Sequence, residues 1–187
     1  MTNEGLGIKE NFIKRLLDIF LSIIGLILSF PVLGLLLVIA AINTKSSGLL
    51  AQKRIGKNEK PFLLYKLKSM HDHREASTFI TTATDKRITT FGRFLRKTKL
   101  DELPQLWNVL IGQMSLVGPR PDVPGYADQL RGEDRIILSV RPGITGPASL
   151  AFKDEEELLA QQENPQQYND EVIWPEKVRI NKVYIKN

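Results

Sequence analysis

The sequence predicts an α+β, mainly helical fold that forms one compact membrane-associated domain. Three observations predict it. Residues 19–42 run IFLSIIGLILSFPVLGLLLVIAAI without a single charge. The apolar-rich segments GLLAQKRI and PFLLYKLKSM flank the short polar stretch GKNEK between residues 48 and 70. Further on, apolar residues recur at helical spacing in amphipathic stretches suited to a membrane surface or a core. A chain of 187 residues can bury one core of useful size but not two large ones. The composition shift after Asn43 divides it into an N-terminal membrane anchor, 1–43, and a mixed polar and charged domain, 44–187.

The anchor comes first. A spanning helix needs roughly 20 apolar residues, and a cleaved signal peptide has an apolar core of only about 7–15. The segment is therefore embedded in lipid rather than removed. Pro31 sits near its middle, where it deletes the amide bond to Ile27 and crowds that carbonyl. Ser29 is placed to satisfy a backbone group freed there. Lys9, Lys14 and Arg15 precede the segment, and Lys45, Lys53, Arg54 and Lys57 follow it, so basic flanks give no side preference. Two arrangements remain open at this point: a straight crossing, and a helix that breaks near Ser29 and Pro31 and returns to the face it entered.

The two apolar-rich segments around GKNEK predict a β-hairpin. RITTFGRFLRKTK puts Phe91, Phe94 and Leu95 on one helical face, with Arg93, Arg96 and Lys97 elsewhere. Leu103, Leu106, Trp107 and Leu110 follow the i, i+3, i+4, i+7 rule. They predict a helix over about 102–111 that Gly112 ends and whose first turn holds Pro104. Two more helices are expected, from Asp154 to about Gln162 and from near Pro175 onward.

The composition also limits the chemistry. There is no cysteine, so disulfides, thiol nucleophiles and thiolate metal sites are excluded, and two histidines cannot make a three-histidine site. A formal charge of +5 points to an anionic partner, whether nucleic acid, phosphorylated small molecules or the acidic face of a bilayer, and the apolar segment favours the bilayer.

The adjacent carboxylates Asp101 and Glu102 fall at a helix start, where Asp101 taken alone reads as an N-cap, a commoner role than catalysis, and Glu102 as favoured by the helix dipole. Their neighbours favour phosphate chemistry. Arg87, Arg93, Arg96, Lys97 and Lys99 precede the pair, and Arg120 lies in GPRP, framed by prolines that fix the backbone around it. Carboxylate attack on a phosphate is resisted until cations neutralise the charge. The planar fork of arginine matches phosphate oxygens two at a time. Mg²⁺ is the natural metal for oxygen ligands and phosphates, and aspartate is a known phosphoryl acceptor, so Asp101 could attack while Glu102 holds the ion. The turn VRPGITG, 140–146, could cradle a diphosphate through Arg141 or be a plain surface turn.

These motifs together resemble those of the monotopic phosphoglycosyl transferases, the small bacterial sugar transferases. The likeness is carried by KRLLD at 14–18, the proline-interrupted apolar segment, QKRIG at 52–56 and YKLKSM at 65–70. It continues through DKRITTFGRFLRKTKLDELPQLWNVLIGQMSLVGPRP at 85–121 and VRPGITG. The resemblance implies transfer of a sugar-1-phosphate from a UDP-sugar to membrane polyprenyl (undecaprenyl) phosphate, with release of UMP and initiation of surface glycoconjugate synthesis. Asp101 is then the nucleophile of a covalent phosphosugar intermediate and Glu102 the Mg²⁺ ligand. Arg96 and Arg120 bind phosphate; Lys66, Arg87 and Arg141 stand as further phosphate- or substrate-binding candidates from the basic residues themselves. The resemblance also implies a re-entrant helix broken near Ser29 and Pro31, at the bacterial inner membrane, with the catalytic domain on the cytoplasmic face. Membrane lipids are expected partners, self-association is a further one, and nucleic acid is not. The chain departs from many members at TGPASL, which bears on the sugar, and at YIKN, where many continue into another amphipathic helix. Two other functions fit the residues alone: a membrane-anchored basic binding module, and an aspartyl phosphohydrolase with water as acceptor.

Overall fold

The computed structural model describes residues 8–72 and 81–186, so His73 and the side chain of Lys9 lie outside it. The mainly helical α+β class and the hairpin are present. A single long helix, α1 (Ile8–Thr44), contains the whole apolar segment. It is long and apolar enough to cross a membrane, and Phe20, Ile27, Leu28, Phe30, Leu35 and Ile42 along it are exposed rather than packed against protein. The expected break does not interrupt the helix. Pro31 removes one link of a long hydrogen-bond ladder, yet helical backbone continues on both sides of it and through Ser29, whose Oγ reaches the Leu26 carbonyl at 3.5 Å.

Antiparallel β1 (Leu49–Ile55) and β2 (Pro61–Leu67) form the hairpin, with Leu49 opposite Leu67 and Ile55 opposite Pro61. Asn58 and Glu59 take positive φ in its connection, a conformation asparagine tolerates better than most residues. Next come α2 (Thr90–Thr98), capped by Thr89 Oγ1 accepting from the Gly92 amide at 2.8 Å, and α3 (Gln105–Leu110). Gly92 is required by packing, since an added Cβ would sit 1.9 Å from the Ser69 carbonyl oxygen. Two short parallel strands, β3 (Ser115–Val117) and β4 (Gly143–Thr145), pair Ser115 with Gly143 and Val117 with Thr145. Helices α4 (Pro147–Ala151), α5 (Glu155–Ala160), α6 (Pro165–Tyr168) and α7 (Trp174–Lys186) complete the chain; α5 and α7 are the two expected after Asp154 and near Pro175.

Three apolar clusters hold these elements. Phe62, Leu64, Val109 and Met114 join the hairpin to α3 and the parallel strands. Leu36, Leu67 and Leu95 join α1, β2 and α2. Ile55, Ala127, Ile137, Leu138, Val178 and Ile185 seat α7. The N-terminal half of α1 is fixed by polar contacts instead. Arg15 donates to the carbonyls of Val109 and Leu110 at the end of α3, at 2.8 and 3.0 Å. Asp18 accepts from the Leu116 amide at 3.1 Å, and Lys14 donates to Ser115.

Two expectations are revised here. The helix expected over 102–111 is divided into a 3-10 turn, Leu100–Glu102, and α3, because Pro104 lacks the amide that would extend α3 backward. Its buried face is also not the apolar stripe. Gln105, Asn108 and Val109 are buried, whereas Trp107 is exposed and Leu106 turns toward Gly25 of α1.

Candidate active site

Lys99 ends α2 in the left-handed conformation, φ 57°, with its amide bonded to the Arg96 carbonyl. That sharp reversal throws the next three residues into the 3-10 turn and points Asp101 and Glu102 inward, so both carboxylates are buried. Non-glycine residues seldom adopt this backbone, and such strain concentrates at functional sites. Asp101 is not an N-cap: the turn is preceded by Lys99 and α3 by Pro104, and Asp101 Oδ1 is buried with no hydrogen-bond partner among the described residues. The capping interpretation is thereby removed.

Opposite the carboxylates stands Lys66 of β2. Asn108 places it there: its Nδ2 donates to the Leu63 carbonyl at 2.7 Å, and its Oδ1 accepts from the Tyr65 amide at 3.1 Å, tying α3 to the strand that carries Lys66. Asn108 is completely buried, and its only advance sign was a polar residue inside LPQLWNVL.

Arg120 closes the site. The chain around it is pinned from two sides, by the Gly143 amide on the Pro119 carbonyl at 2.8 Å and by the Ile55 amide on the Asp122 carbonyl at 2.9 Å. The guanidinium donates to both oxygens of Glu102, at 3.1 and 2.5 Å, and to the Ile144 carbonyl at 3.1 Å. Such a planar two-point grip is the one arginine also gives a phosphate.

The charges act strongly on one another. Burial pushes the Asp101 carboxyl above the usual carboxylate range, with Lys66 opposing the shift and Glu102 adding to it. Burial also disfavours the Glu102 anion, but Arg120 outweighs it and holds Glu102 below its ordinary value. Burial, followed by the neighbouring Arg120, brings the Lys66 ammonium down to about 7. A carboxylate that is desolvated and has an unoccupied oxygen is poised either to take a proton or to attack an electrophile.

Asp101, Glu102, Lys66 and Arg120 therefore meet in one place. Arg96 also acts on Asp101, although its side chain is engaged with Glu156 of α5. Two other expected phosphate-binding residues are engaged with protein partners. Arg87 is held by both oxygens of Asp85, at 2.6 to 3.1 Å. Arg141 donates to the Gly112 carbonyl at 2.9 Å, beside Arg15. VRPGITG serves packing: an added Cβ on Gly143 would come within 2.2 Å of the Gly118 nitrogen, so its glycine permits β4 to lie on the chain leading to Arg120. Arg54 and Asp122 are additional charged groups behind Arg120. Burial raises Asp122 to about 6, against the pull of Lys177 and Arg54. Asp122 follows the Pro-Arg-Pro motif directly and Arg54 lies within QKRIG, so both were adjacent to recognised signals.

Residues 9–187 match the bacterial sugar transferase family. A protein of Bacillus subtilis (strain 168) named "Putative undecaprenyl-phosphate N-acetylgalactosaminyl 1-phosphate transferase" is 41% identical over 122 residues, covering 65% of this chain and 68% of that one. A Klebsiella pneumoniae UDP-glucose:undecaprenyl-phosphate glucose-1-phosphate transferase is 40% identical over 163 residues, 83% of this chain and 35% of its own length. The Escherichia coli (strain K12) protein of the same name is 37% identical over 170 residues, 88% of this chain and 36% of its own. The aligned chain thus spans only about a third of these last two relatives.

Proposed function

Because this chain belongs to the bacterial sugar transferase family, we propose that it transfers a sugar-1-phosphate from a UDP-sugar to polyprenyl phosphate, through a covalent intermediate on Asp101. The observation that carries the reading is the buried Asp101 with an unoccupied oxygen, set among Lys66, Arg96 and Arg120. In the first step an Asp101 oxygen attacks the sugar-bearing phosphorus. The bond from that phosphorus to the bridging oxygen breaks, and UMP leaves with the electron pair. In the second, an oxygen of the polyprenyl phosphate attacks the same phosphorus and the Asp101 carboxylate departs, giving the polyprenyl diphosphate sugar. One site thus handles a soluble donor and a lipid acceptor in turn.

Two unit charges 4 Å apart repel by about 4 kcal/mol at an effective dielectric constant near 20, so the attacking carboxylate needs local cations. Lys66 and Arg120 supply them at fixed positions. Among the described residues no three carboxylate or imidazole groups converge on one point, but Mg²⁺ is commonly held by one or two carboxylates together with substrate phosphates. The donor set fits that pattern. Glu102 would hold the ion by releasing one of its two bonds to Arg120, freeing that arginine for phosphate. When bound, Mg²⁺ would neutralise charge on the diphosphate and on departing UMP.

Contacts at both ends of α1 support a one-sided membrane arrangement. Arg15 and Leu36 are 21 residues apart, about 32 Å along a straight helix, comparable to the roughly 30 Å hydrocarbon thickness. Yet Arg15 binds the end of α3, and Leu36 packs in one cluster with Leu67 and Leu95. A helix that carried these residues to opposite faces could not keep both docked on the same folded block. We read α1 as entering and remaining on one face, the cytoplasmic face of the inner membrane, where donor and lipid acceptor meet.

The test is UMP release by protein in nanodiscs supplied with Mg²⁺, undecaprenyl phosphate and a panel of UDP-sugars. Turnover with one or a few sugars, dependent on the lipid phosphate, is the expected result. Free sugar phosphate formed without lipid would replace the transferase by a hydrolase.

Lys66 adds a pH prediction. Its ammonium loses its proton as pH rises through about 7, removing a cation that faces the donor. In the pH profile, kcat/KM should therefore fall on the alkaline side with a break near 7. Lys66→Arg, which cannot deprotonate in this range, should move that break upward. An unchanged break in the variant would show that Lys66 is not the titrating group.

A further inference from the structure

We infer that Gln105 is a further catalytic residue, whose side-chain amide donates a hydrogen bond to a non-bridging oxygen of the phosphoryl group that Asp101 attacks. This rests on the transferase reading of Asp101, and adds to it a neutral donor where Lys66 and Arg120 supply charge.

Backbone geometry puts Gln105 beside the reacting pair. The chain turns right-handed from Leu100 through Leu103 and Pro104 into α3. Gln105 follows Glu102 by three residues and Asp101 by four, and side chains at those separations are neighbours on a helical turn, with about 5–6 Å between Cβ atoms. Packing against β2 gives the same position. Phe62, Leu64 and Lys66 alternate onto one face of that strand. Val109 packs in one cluster with Phe62 and Leu64, and Asn108 is bonded to Leu63 and Tyr65, whereas Leu100 and Leu103 pack against the cluster that holds Leu67. Helix and strand thus run past one another in opposite directions, and Gln105, one turn before Val109, falls opposite Lys66.

Gln105 is 1% exposed, and its Nε2 is buried with no hydrogen-bond partner among the described residues. A buried donor in that condition is costly, and native proteins keep few of them. Asp101 Oδ1, one turn earlier, is a buried acceptor in the same condition. Each would satisfy the other, yet they do not pair. A group that serves both must accept from Nε2 while Oδ1 attacks it. A phosphoryl group does this, because its phosphorus is the electrophile and its non-bridging oxygens are acceptors. The phosphorus stays next to Asp101 while UMP leaves and while the polyprenyl phosphate oxygen arrives, so one donor serves both steps. The amide keeps its protons throughout and stabilises the charge on the phosphoryl oxygens as a fixed dipole.

If Gln105 instead only fills the interface between α3 and β2, its donor is dispensable. Gln105→Met separates the two, since methionine is unbranched and of similar length but has no donor. Replacing an unsatisfied buried amide by an apolar group of similar shape should leave the melting temperature at or above that of wild type. Rapid-quench mass spectrometry of the full chain in nanodiscs, with Mg²⁺ and UDP-sugar, should show adduct formation slowed about 100-fold, and consumption of the adduct by undecaprenyl phosphate slowed comparably. A donor analogue with sulfur replacing one non-bridging oxygen on the sugar-bearing phosphorus tests the contact itself. One of its two diastereomers should be slow with wild type, yet as fast as the oxygen donor with Gln105→Met, as in a double-mutant cycle. A Gln105→Met rate within threefold of wild type would overturn the assignment. A slow variant that keeps the full sulfur penalty and melts lower would make Gln105 a packing residue, overturning it as well. Should Gln105→Met fail to fold, wild type decides alone, and equal rates for the two diastereomers would overturn the contact. Absence of an adduct in wild type with every UDP-sugar would instead strike the transferase reading beneath it.

Discussion

Asp101→Asn is expected to abolish turnover, lowering UMP release by about three orders of magnitude or more, and to eliminate the covalent phosphosugar adduct. The amide nearly matches the carboxylate in shape, so the loss would be chemical rather than architectural. Stability should move in the opposite direction. Burial raises the Asp101 pKa above its ordinary 3.8, so the folded protein holds that proton more tightly than the unfolded chain does. As pH rises above 3.8 the unfolded chain releases the proton first, and stability falls until the folded carboxyl has ionised as well. That fall is the cost of burying the anion. Asp101→Asn removes it, so the variant should melt higher than wild type at neutral pH, and the difference should disappear below pH 3.8. Mass spectrometry of protein incubated with UDP-sugar alone, paired with thermal unfolding at pH 7 and pH 3.5, checks both arms. An adduct that survives in the variant would move the nucleophile elsewhere, and a lower melting temperature at pH 7 would mean that Asp101 is a structural anion. A residue that costs stability and is required for turnover is the expected signature of a pre-organised active site.

The sequence disclosed periodic elements well and geometry across elements poorly, for identifiable physical reasons. The hairpin, α2 and the two C-terminal helices were legible because apolar spacing and turn residues act over a few positions. The buried pair Asp101 and Glu102 stood out as a candidate because the two carboxylates are adjacent among basic residues, and Arg120 because prolines frame it. The inward face of α3 was not. Gln105 and Asn108 are buried because Asn108 satisfies the open backbone of β2 on the strand carrying Lys66, a partnership between residues 43 and 45 apart that no local pattern encodes. Arg87 and Arg141 illustrate the converse. Nearness to the motif in sequence does not say which partner a basic residue takes in the fold, and here Arg87 pairs with Asp85 and Arg141 with the Gly112 carbonyl. Pro31 shows the same limit in the membrane segment, where one missing amide does not suffice to end a 37-residue helix.

Arg120→Ala carries the second large effect, because it removes the cation from a carboxylate that is only 10% exposed in its side chain. Stranding one member of a deeply buried ion pair costs about 3–5 kcal/mol. Arg120 itself is 39% exposed, so water can partly replace it, and a loss of about 1–3 kcal/mol is the better expectation here. Activity should fall further, by about 100- to 1000-fold in kcat/KM, as expected when a fixed donor aimed at developing phosphate charge is lost. The two effects separate through Glu102. In wild type Arg120 holds the Glu102 pKa below 4.5, so the pair contributes stability above that pH and loses it as Glu102 takes up a proton. The stability difference between wild type and Arg120→Ala should therefore shrink on the acid side. Glu102→Gln/Arg120→Ala, which removes the stranded anion as well, should recover much of the lost stability at pH 7 and none of the activity. Arg120→Lys keeps the charge but not the fork, and should fall between wild type and alanine in activity. If Arg120→Ala stays within threefold of wild type in kcat/KM while losing stability, Arg120 serves only to hold Glu102. If the double variant regains turnover along with stability, the fall in the single variant came from the uncompensated carboxylate. With Glu102 intact, a large loss of kcat/KM in Arg120→Ala that Arg120→Lys restores only in part assigns the planar guanidinium to the substrate's phosphate, and that outcome follows from a motif whose prolines and flanking backbone bonds fix Arg120 in place before any ligand arrives.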